Sequence, residues 1–178
     1  MSVRRKRWAA LVGGVALLGA AMAGCGVGKG APDGWTYVNA HGIAFAIPKD
    51  WRLTPAADLP SHVVAAAVLR RHGTRVADVE VLTAVPPRPR GRRLKARTEP
   101  PFTVDGVSST EVSYAFLAGP SGLPRRVTDV TTKTARGQRV VVRIRALGKG
   151  AGSWVDTMER IANSIQVGTI GRGNILQA

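Results

Sequence analysis

Residues 42–51 carry the strongest fold signal in the chain, and their sequence is Gly42-Ile43-Ala44-Phe45-Ala46-Ile47-Pro48-Lys49-Asp50-Trp51. Alternation along these residues places Ile43, Phe45 and Ile47 on one face of a strand. Pro48 ends the strand because it has no N–H to donate, and Trp51 offers a large apolar surface to close the end of a sheet. The stretch therefore predicts a strand that enters a hydrophobic core and then turns sharply.

Short β-type segments lie on either side of this stretch. The strands predicted there are 35–38, 63–69 and 76–85. The segment 63–69 is apolar on both faces, which favours a buried central strand, whereas Ala77, Val79 and Val81 alternate with two acidic residues. Between them, the segment 54–61 predicts a short helix, with Thr54 as its N-cap and Pro55 at its first position.

The second half of the chain predicts three more strands and a closing helix. The strands are 107–117, 125–134 and 138–147, and their expected inward residues are Thr110, Val112, Tyr114, Phe116, Val140, Val142 and Ile144. Arg143 and Arg145 are expected to point outward. The helix is predicted over 153–164, with Ser153 and Asp156 as a shortened capping box. Its stripe of Trp154, Met158, Ile161 and Ile165 is expected to pack on the sheet.

These elements predict an α+β domain. Its antiparallel β-sheet has about six strands and is flanked by the C-terminal helix and a short N-terminal helix. The order resembles the PsbP-like fold. That resemblance is carried by residues 42–51, by Val104-Asp105-Gly106-Val107 with Glu111-Val112-Ser113-Tyr114, and by residues 154–167. Within the fold, the chain is similar to the LpqN/LpqT type of actinobacterial lipoprotein. The resemblance covers residues 35–167 and implies a protein-binding or small-ligand-binding module.

The N-terminal segment has the pattern of an export signal. Four basic residues, Arg4-Arg5-Lys6-Arg7, precede an apolar run from Trp8 to Ala23. Such a basic start, apolar middle and small-residue exit is typical of a secretory signal. Met22-Ala23-Gly24-Cys25 resembles the lipobox of bacterial lipoproteins. The resemblance implies cleavage after Gly24, diacylglycerol on the Cys25 thiol, and a position on the extracytoplasmic face of the cell membrane.

Alternatives to lipidation remain open at this point. Ala21-Met22-Ala23 also fits a cleavage site that releases a soluble protein, and residues 8–27 are long enough for an uncleaved membrane span. An ordinary buried cysteine is a third alternative. With lipidation, the chain divides into a lipoprotein signal peptide (1–24), a flexible tether (25–34), the PsbP-like domain (35–167) and a loose C-terminal tail (168–178).

The charge balance points to anionic partners. Segment 1–24 holds four of the 26 basic residues and none of the 11 acidic ones, so residues 25–178 carry a net charge of +11. Six basic residues fall in a segment, 86–97, that is predicted to be an exposed loop: Arg88, Arg90, Arg92, Arg93, Lys95 and Arg97. They are candidates for binding anionic lipid or a cell-wall polymer. The alternative is a solvated loop without a partner. Nucleic acid is not expected, since no aromatic residue in the segment offers stacking.

The sequence offers no constellation that predicts catalysis. His41, His62 and His72 lie in or near predicted turns, without the spacing of metal ligands, and no G-x-S-x-G motif occurs. We therefore expect no metal and no cofactor, and a membrane-anchored, non-enzymatic binding or accessory module with a possible protein partner. The alternative is an envelope hydrolase or other enzyme. A pocket where His62 or His72 meets a carboxylate would favour that alternative.

Overall fold

The computed structural model describes residues 31–84, 92–118, 122–168 and 175–177, with residues 92–95 and 175–177 described by their backbone. The strands are β1 Trp35–Ala40, β2 Ile43–Pro48, β3 Arg52–Leu53, β4 Val63–Arg71, β5 Thr74–Leu82, β6 Arg92–Thr98, β7 Phe102–Val104, β8 Val107–Ala118, β9 Leu123–Lys133, β10 Arg139–Leu147, β11 Gln166–Val167 and β12 Ile175–Gln177. Helix α1 spans Val155–Asn163, and 3-10 helices span Ala56–Asp58 and Lys149–Trp154.

The strands form two sheets. The larger one has the order β3-β4-β5-β10-β9-β8-β6, with β7 paired to β8, and all of its pairings are antiparallel. The smaller one has the order β11-β2-β1-β12, in which β12 runs parallel to β1. Helix α1 connects the larger sheet to β11 of the smaller one. The architecture is therefore mostly antiparallel β with one C-terminal helix.

The main core lies against one face of the larger sheet. Phe45 of β2, Val79 of β5, Ile144 of β10 and Ile161 of α1 are fully buried in one apolar cluster. Ile43 and Ile47 belong to the same cluster, as does Trp51, so the prediction made from residues 42–51 is confirmed. We call this side of the larger sheet the core face.

The opposite side, the outer face, carries charge in its centre. Arg75 and Arg145 both donate to Asp78 and Glu80, and the Nε atoms of the two arginines lie 2.8 and 2.5 Å from Asp78 oxygens. Arg143 donates twice to Asp129, at 2.7 and 2.8 Å, and only 7% of its surface is exposed. We call these three arginines and three acids the ionic network. It neutralises itself.

The number of strands and the N-terminal helix differ from the prediction. The described residues contain twelve strands rather than about six, because four pieces of two or three residues pair with longer strands and β6 forms where a loop was predicted. The segment 54–61 forms only the 3-10 helix Ala56–Asp58, which buries none of its residues. Prolines 55 and 60 leave room for a single turn between them, and no apolar stripe anchors a longer helix.

The C-terminal helix exists but begins later than predicted. Its N-cap is Trp154, without a side-chain hydrogen bond, while the Ser153 hydroxyl donates to the carbonyl of Gly150 at 2.8 Å. The capping box is therefore not formed, because the preceding residues already turn as a 3-10 helix. Met158, Ile161 and Ile165 are buried as expected, and Trp154 is half-buried.

The side chains of strand β8 lie on the opposite faces from those predicted. Tyr114 stands opposite Val127, which itself stands opposite Arg145, so these residues share the outer face. Tyr114 and Phe116 form a separate small cluster there, and the Tyr114 hydroxyl donates to Asp129 at 3.2 Å. Polar residues of β8 face the core side instead, where Ser109 is fully buried and donates to Thr132 at 2.9 Å.

Two further predictions meet the structure only in part. Residues 175–177 form β12 on β1, so this portion of the predicted loose tail is a paired strand. Strand β4 is buried on both faces, but it lies second from the edge, beside the two-residue strand β3, rather than at the centre. Among the described residues, no helix is long and apolar enough to cross a membrane.

Candidate functional site

The predicted basic segment is partly a strand. Arg88 and Arg90, like Cys25, lie outside the described residues. Residues 92–98 form β6, so the prediction of an exposed loop over 86–97 is wrong for its second half. Strand β6 ends the strand order of the larger sheet, and β8 is its neighbour there. Pairing with β8 outweighs the local like-charge repulsion from which the loop was predicted, because alternate residues of β6 exchange backbone hydrogen bonds with β8.

The register fixes where the basic residues stand. Arg92 lies opposite Leu117, Arg93 opposite Phe116, Lys95 opposite Ala115 and Arg97 opposite Ser113, with an irregularity between Arg93 and Lys95. Four of the six candidates thus stand within six residues along one edge of a folded sheet. Basic residues on an edge strand also disfavour pairing with further strands, which is their ordinary structural role.

Arg97 is the candidate whose side chain is described. The side chain is 72% exposed, and its Nε lies 2.5 Å from Oε1 of Glu99. An exposed ion pair of this kind contributes little to stability, because water solvates both groups well. The positive charge of Arg97 is nevertheless compensated locally, so Arg97 offers less net attraction to an anion than an unpaired arginine does.

A cleft of about 200 Å³ lies between β6, β8 and β9 on one side and α1 on the other. We call it the acidic cleft, because Glu99, Glu111 and Glu159 line it together with Arg97 and Arg126. Burial is the main cause that raises the pKa of Glu111 above its ordinary value. The charges of Glu99 and Glu159 raise it further, while the Ser113 hydroxyl and Arg97 lower it.

No sequence motif predicted this cleft. Its three carboxylates come from the end of β6, from β8 and from α1, and no motif connects them. Glu111 does stand out in the sequence of β8, because it is a charged residue in a row of small ones at alternate positions, Ser109, Ser113 and Ala115. Glu111 lies beside Glu99 because of the register between the two strands, and this register cannot be read from the sequence.

The histidines do not line this cleft. His41 and His72 adopt positive φ angles of 50° and 49° in tight turns, and His62 is exposed. Within the described ranges, no group of three or more histidine, cysteine or acidic side chains is arranged to hold a metal ion. The acidic cleft is therefore not the pocket with His62 or His72 beside a carboxylate that would favour an enzyme.

Comparison with solved structures shows which fold this is, although no family profile and no curated protein sequence matches the chain. The solution structure of cyanobacterial PsbP (CyanoP) from Synechocystis aligns with a TM-score of 0.51 at 14% identity, over 71% of this chain and 86% of CyanoP.

Two other structures align less well. LpqN of Mycobacterium tuberculosis, described as involved in cell envelope biogenesis, gives a TM-score of 0.45 at 18% identity over 71% of this chain and 83% of LpqN. The Ran-binding protein Mog1p of Saccharomyces cerevisiae gives 0.40 at 13% identity over 71% and 90%. The mostly antiparallel sheet, the closing C-terminal helix and the CyanoP alignment together show that the chain has a PsbP-like fold.

Proposed function

We propose that this protein is a non-enzymatic binding module of the cell envelope, anchored through lipid on Cys25, that binds anionic lipid or wall polymer through β6. The observation that carries the proposal is the placement of Arg92, Arg93, Lys95 and Arg97 along one sheet edge. A row of basic residues on a folded edge acts on a charged surface as a unit, since the strand holds the charges together.

The charge distribution supports an anionic partner. All 11 acidic residues lie in the described part of the chain, and five of them already pair with arginines: Asp50, Asp78, Glu80, Glu99 and Asp129. By contrast, Lys133, Arg136 and Arg139 are exposed and have no ion pair within the described residues. Pairing within the domain cancels positive and negative charges equally, so the net charge of +11 over residues 25–178 remains as a positive surplus.

The proposed anchor holds the domain near a charged surface. Segment 25–34 separates Cys25 from β1, and ten residues span at most about 35 Å when fully extended. Lipid at Cys25 would thus keep the domain within a short distance of the headgroups. At that distance each basic residue contributes about 1 kcal/mol of attraction to an anionic membrane, an attraction that fades beyond a Debye length.

The anchor is tested in cells. We expect the wild-type chain to incorporate a palmitate analogue and to fractionate with membranes. The Cys25→Ala chain should lose the label, because Cys25 is the one thiol in the chain. Lipid label on Cys25→Ala would contradict lipidation at this residue. A shift of the mature N-terminus to Gly24 would instead support release by the alternative cleavage site.

The role of β6 is tested by neutralisation. The variant Arg92→Gln, Arg93→Gln, Lys95→Gln removes three charges, which at about 1 kcal/mol each predicts a loss of roughly a hundredfold in affinity for anionic vesicles. Its matched control is Lys133→Gln, Arg136→Gln, Arg139→Gln, which removes the same charge from the β9–β10 hairpin. Co-sedimentation of the Cys25→Ala chain with phosphatidylglycerol vesicles, and with isolated anionic wall polymer, measures both.

The control decides between a site and a general field. A clear loss in the β6 variant with little loss in the hairpin variant supports docking through β6. Equal losses in the two variants would mean that net charge alone governs binding, and the assignment to β6 would be wrong. Sedimentation with phosphatidylcholine vesicles gives the contribution of the apolar N-terminal segment, which must be the same for all variants.

The acidic cleft favours the second candidate, an envelope hydrolase. A carboxyl with a raised pKa in a cleft is the arrangement of a general acid, and Glu111 is such a group. Hydrolysis of envelope glycans or esters by the wild-type chain, abolished by Glu111→Gln with unchanged unfolding temperature, would support this candidate. Retained hydrolysis in the Glu111→Gln chain would exclude Glu111 as the acid.

A further inference from the structure

A second cavity lies at the end of the larger sheet where β9 begins and β10 ends. Its volume is about 460 Å³, within the range of small-molecule sites. The turn between β4 and β5 contributes one wall, and the 3-10 helix Lys149–Trp154 contributes another. We call it the end pocket. It shares no residue with β6 or with the acidic cleft.

Apolar side chains form much of its lining. They are Val76, Leu123, Leu147 and Trp154. Leu123 is 42% exposed, and among the described residues no other large apolar side chain is exposed. Trp154 belongs to the stripe of α1 that was predicted to be core, yet it is only half-buried because one side of it reaches the pocket. Exposed apolar surface inside a polar rim is typical of a ligand site.

The charges around the pocket are all positive. Arg71, Arg75, Arg125 and Lys149 line it, and its described lining contains no acidic side chain. Arg71 pairs with Asp50 at 2.8 Å, and Arg75 belongs to the ionic network. Arg125 and Lys149 are exposed and make no ion pair with any described residue. Two positive charges at the rim are therefore uncompensated.

The backbone around the pocket is specialised. Leu69 pairs with Ala77 but Arg70 pairs with Arg75, so Val76 is an extra residue in β5. Such a bulge redirects side chains, and here it turns Arg75 toward Asp78 and Glu80 while Val76 packs beside the core. Gly148 has φ 80° and ψ −172°, a conformation essentially restricted to glycine, and its N–H donates to the Pro124 carbonyl at 2.9 Å.

We propose that the end pocket binds an anionic amphiphile, namely a single alkyl chain that carries a phosphate, sulfate or carboxylate headgroup. Arg125 and Lys149 supply charge-assisted hydrogen bonds to the headgroup, and Leu123 and Trp154 contact the alkyl chain. An inorganic anion alone leaves the apolar lining in water, and a neutral amphiphile leaves both rim charges without a partner. Charge complementarity and apolar lining together therefore select a ligand with both properties.

The pocket is tested by photolabelling of the full chain in phosphatidylcholine nanodiscs. The probe is dodecyl phosphate with a diazirine in its chain, and the comparison probe is the neutral dodecyl maltoside with the same group. We expect peptides with Leu123 and with residues 147–154 to be labelled by the phosphate probe, at about tenfold higher yield than by the maltoside probe. Inorganic phosphate in equimolar amount should leave the labelling unchanged.

A pair of matched variants identifies the charges that matter. Arg125→Gln with Lys149→Gln is expected to lower labelling by the phosphate probe about tenfold. Arg136→Gln with Arg139→Gln, which removes the same charge at the other end of the β9–β10 hairpin, should leave it unchanged. Leu123→Gln is expected to lower labelling too, and its exposure makes it harmless to folding. Unfolding curves confirm that each variant is folded.

Several outcomes would overturn the proposal. Equal labelling by the neutral probe would mean that the rim charges select nothing. Labels spread over the surface, or equal losses in both double variants, would mean that no pocket is involved. The proposed function is judged separately by the β6 variant. Its vesicle binding fails or survives independently of pocket labelling, since the two sets of residues are disjoint.

Discussion

The two faces of the larger sheet are built from the same strands but use opposite chemistry. On β5 and β10, the core face carries Val79, Val81, Val142 and Ile144, all fully buried in apolar contacts. The outer face carries Asp78, Glu80, Arg143 and Arg145 at the positions in between. Alternation explains both sets, because neighbouring residues in a strand point to opposite sides.

The difference between the faces shows where positive charge is available. Arg143 and Arg145 look like free surface cations in the sequence, yet both are held in the ionic network and Arg143 is buried. The arginines in the middle of the sheet therefore stabilise the outer face rather than attract a partner. Charges that remain available lie at the sheet's edge and ends, where β6 and the end pocket are found.

Breaking the ionic network has the largest expected effect. Arg145→Met leaves Asp78, which has no exposed surface, with only one of its two arginines. Loss of one partner from a buried ion pair costs about 3 kcal/mol in the free energy of unfolding, which urea denaturation measures. The control Arg71→Met breaks the exposed pair with Asp50 and should cost less than about 1 kcal/mol. Equal costs for both variants would show that the network contributes no more than a surface pair.

The pH dependence of this variant gives a second check. Burial raises the pKa of Asp78, while Arg145 and Arg75 lower it through attraction, with Arg145 contributing more. Removal of Arg145 raises the pKa of Asp78 further, so the folded variant holds this proton to higher pH than the unfolded chain does. Stability then falls as pH rises through that range. We therefore expect the cost of Arg145→Met to grow from acidic to neutral pH, and a cost independent of pH would exclude Asp78 as its source.

Substitution of two adjacent valines allows the apolar clusters on the two faces of the larger sheet to be compared. Val142 is buried in the main core, and Val141 is buried in a small outer cluster with Val63, Ala66 and Leu82. Val142→Ala removes two methyl groups from a closed core and should cost about 2.5 kcal/mol, since the cavity cannot collapse. Val141→Ala should cost about 1.5 kcal/mol, because water and neighbouring side chains refill a cavity at the surface. A larger cost for Val141 would reverse the assignment of the two faces.

Periodicity alone was enough to predict part of this arrangement. Residues 77–81 and 142–145 alternate strictly between apolar and charged side chains, so their faces follow from the sequence. The same reasoning gave the wrong face for Tyr114 and Phe116, since β8 buries aromatic residues on one side and small hydroxyl residues on the other. When both sides of a strand are buried, the size and polarity of its side chains do not predict which side packs against the helix.

The candidate sites depended on contacts between distant segments, which the sequence does not display. Strand β6 forms because β8 pairs with it, although the prolines and like charges of the twelve-residue segment 86–97 predicted a loop. The end pocket brings Arg71 beside Arg125 and Lys149 through the pairing of β5, β10 and β9. The bulge at Val76, which turns Arg75 into the ionic network, leaves no trace in the residue pattern.

The smallest expected effect concerns the acidic cleft, on the core face beside α1. The pKa of Glu111 is raised mainly by burial, so the folded chain binds this proton to higher pH than the unfolded chain does. The contribution of Glu111 to stability is thus most favourable at acidic pH and falls as pH rises through its raised pKa. Gln cannot ionise and escapes this penalty.

We therefore expect the difference in the free energy of unfolding, Glu111→Gln minus wild type, to increase with pH across the carboxyl range and then to level off. Urea titrations at several pH values measure it. The variant Glu159→Gln removes a like charge that also raises the pKa of Glu111, so it should shift the same transition to lower pH. A difference that decreases with pH would mean that the fold stabilises the charged form of Glu111, as the ionic network stabilises its own carboxylates. The contrast between the two faces would then not extend to the acidic cleft.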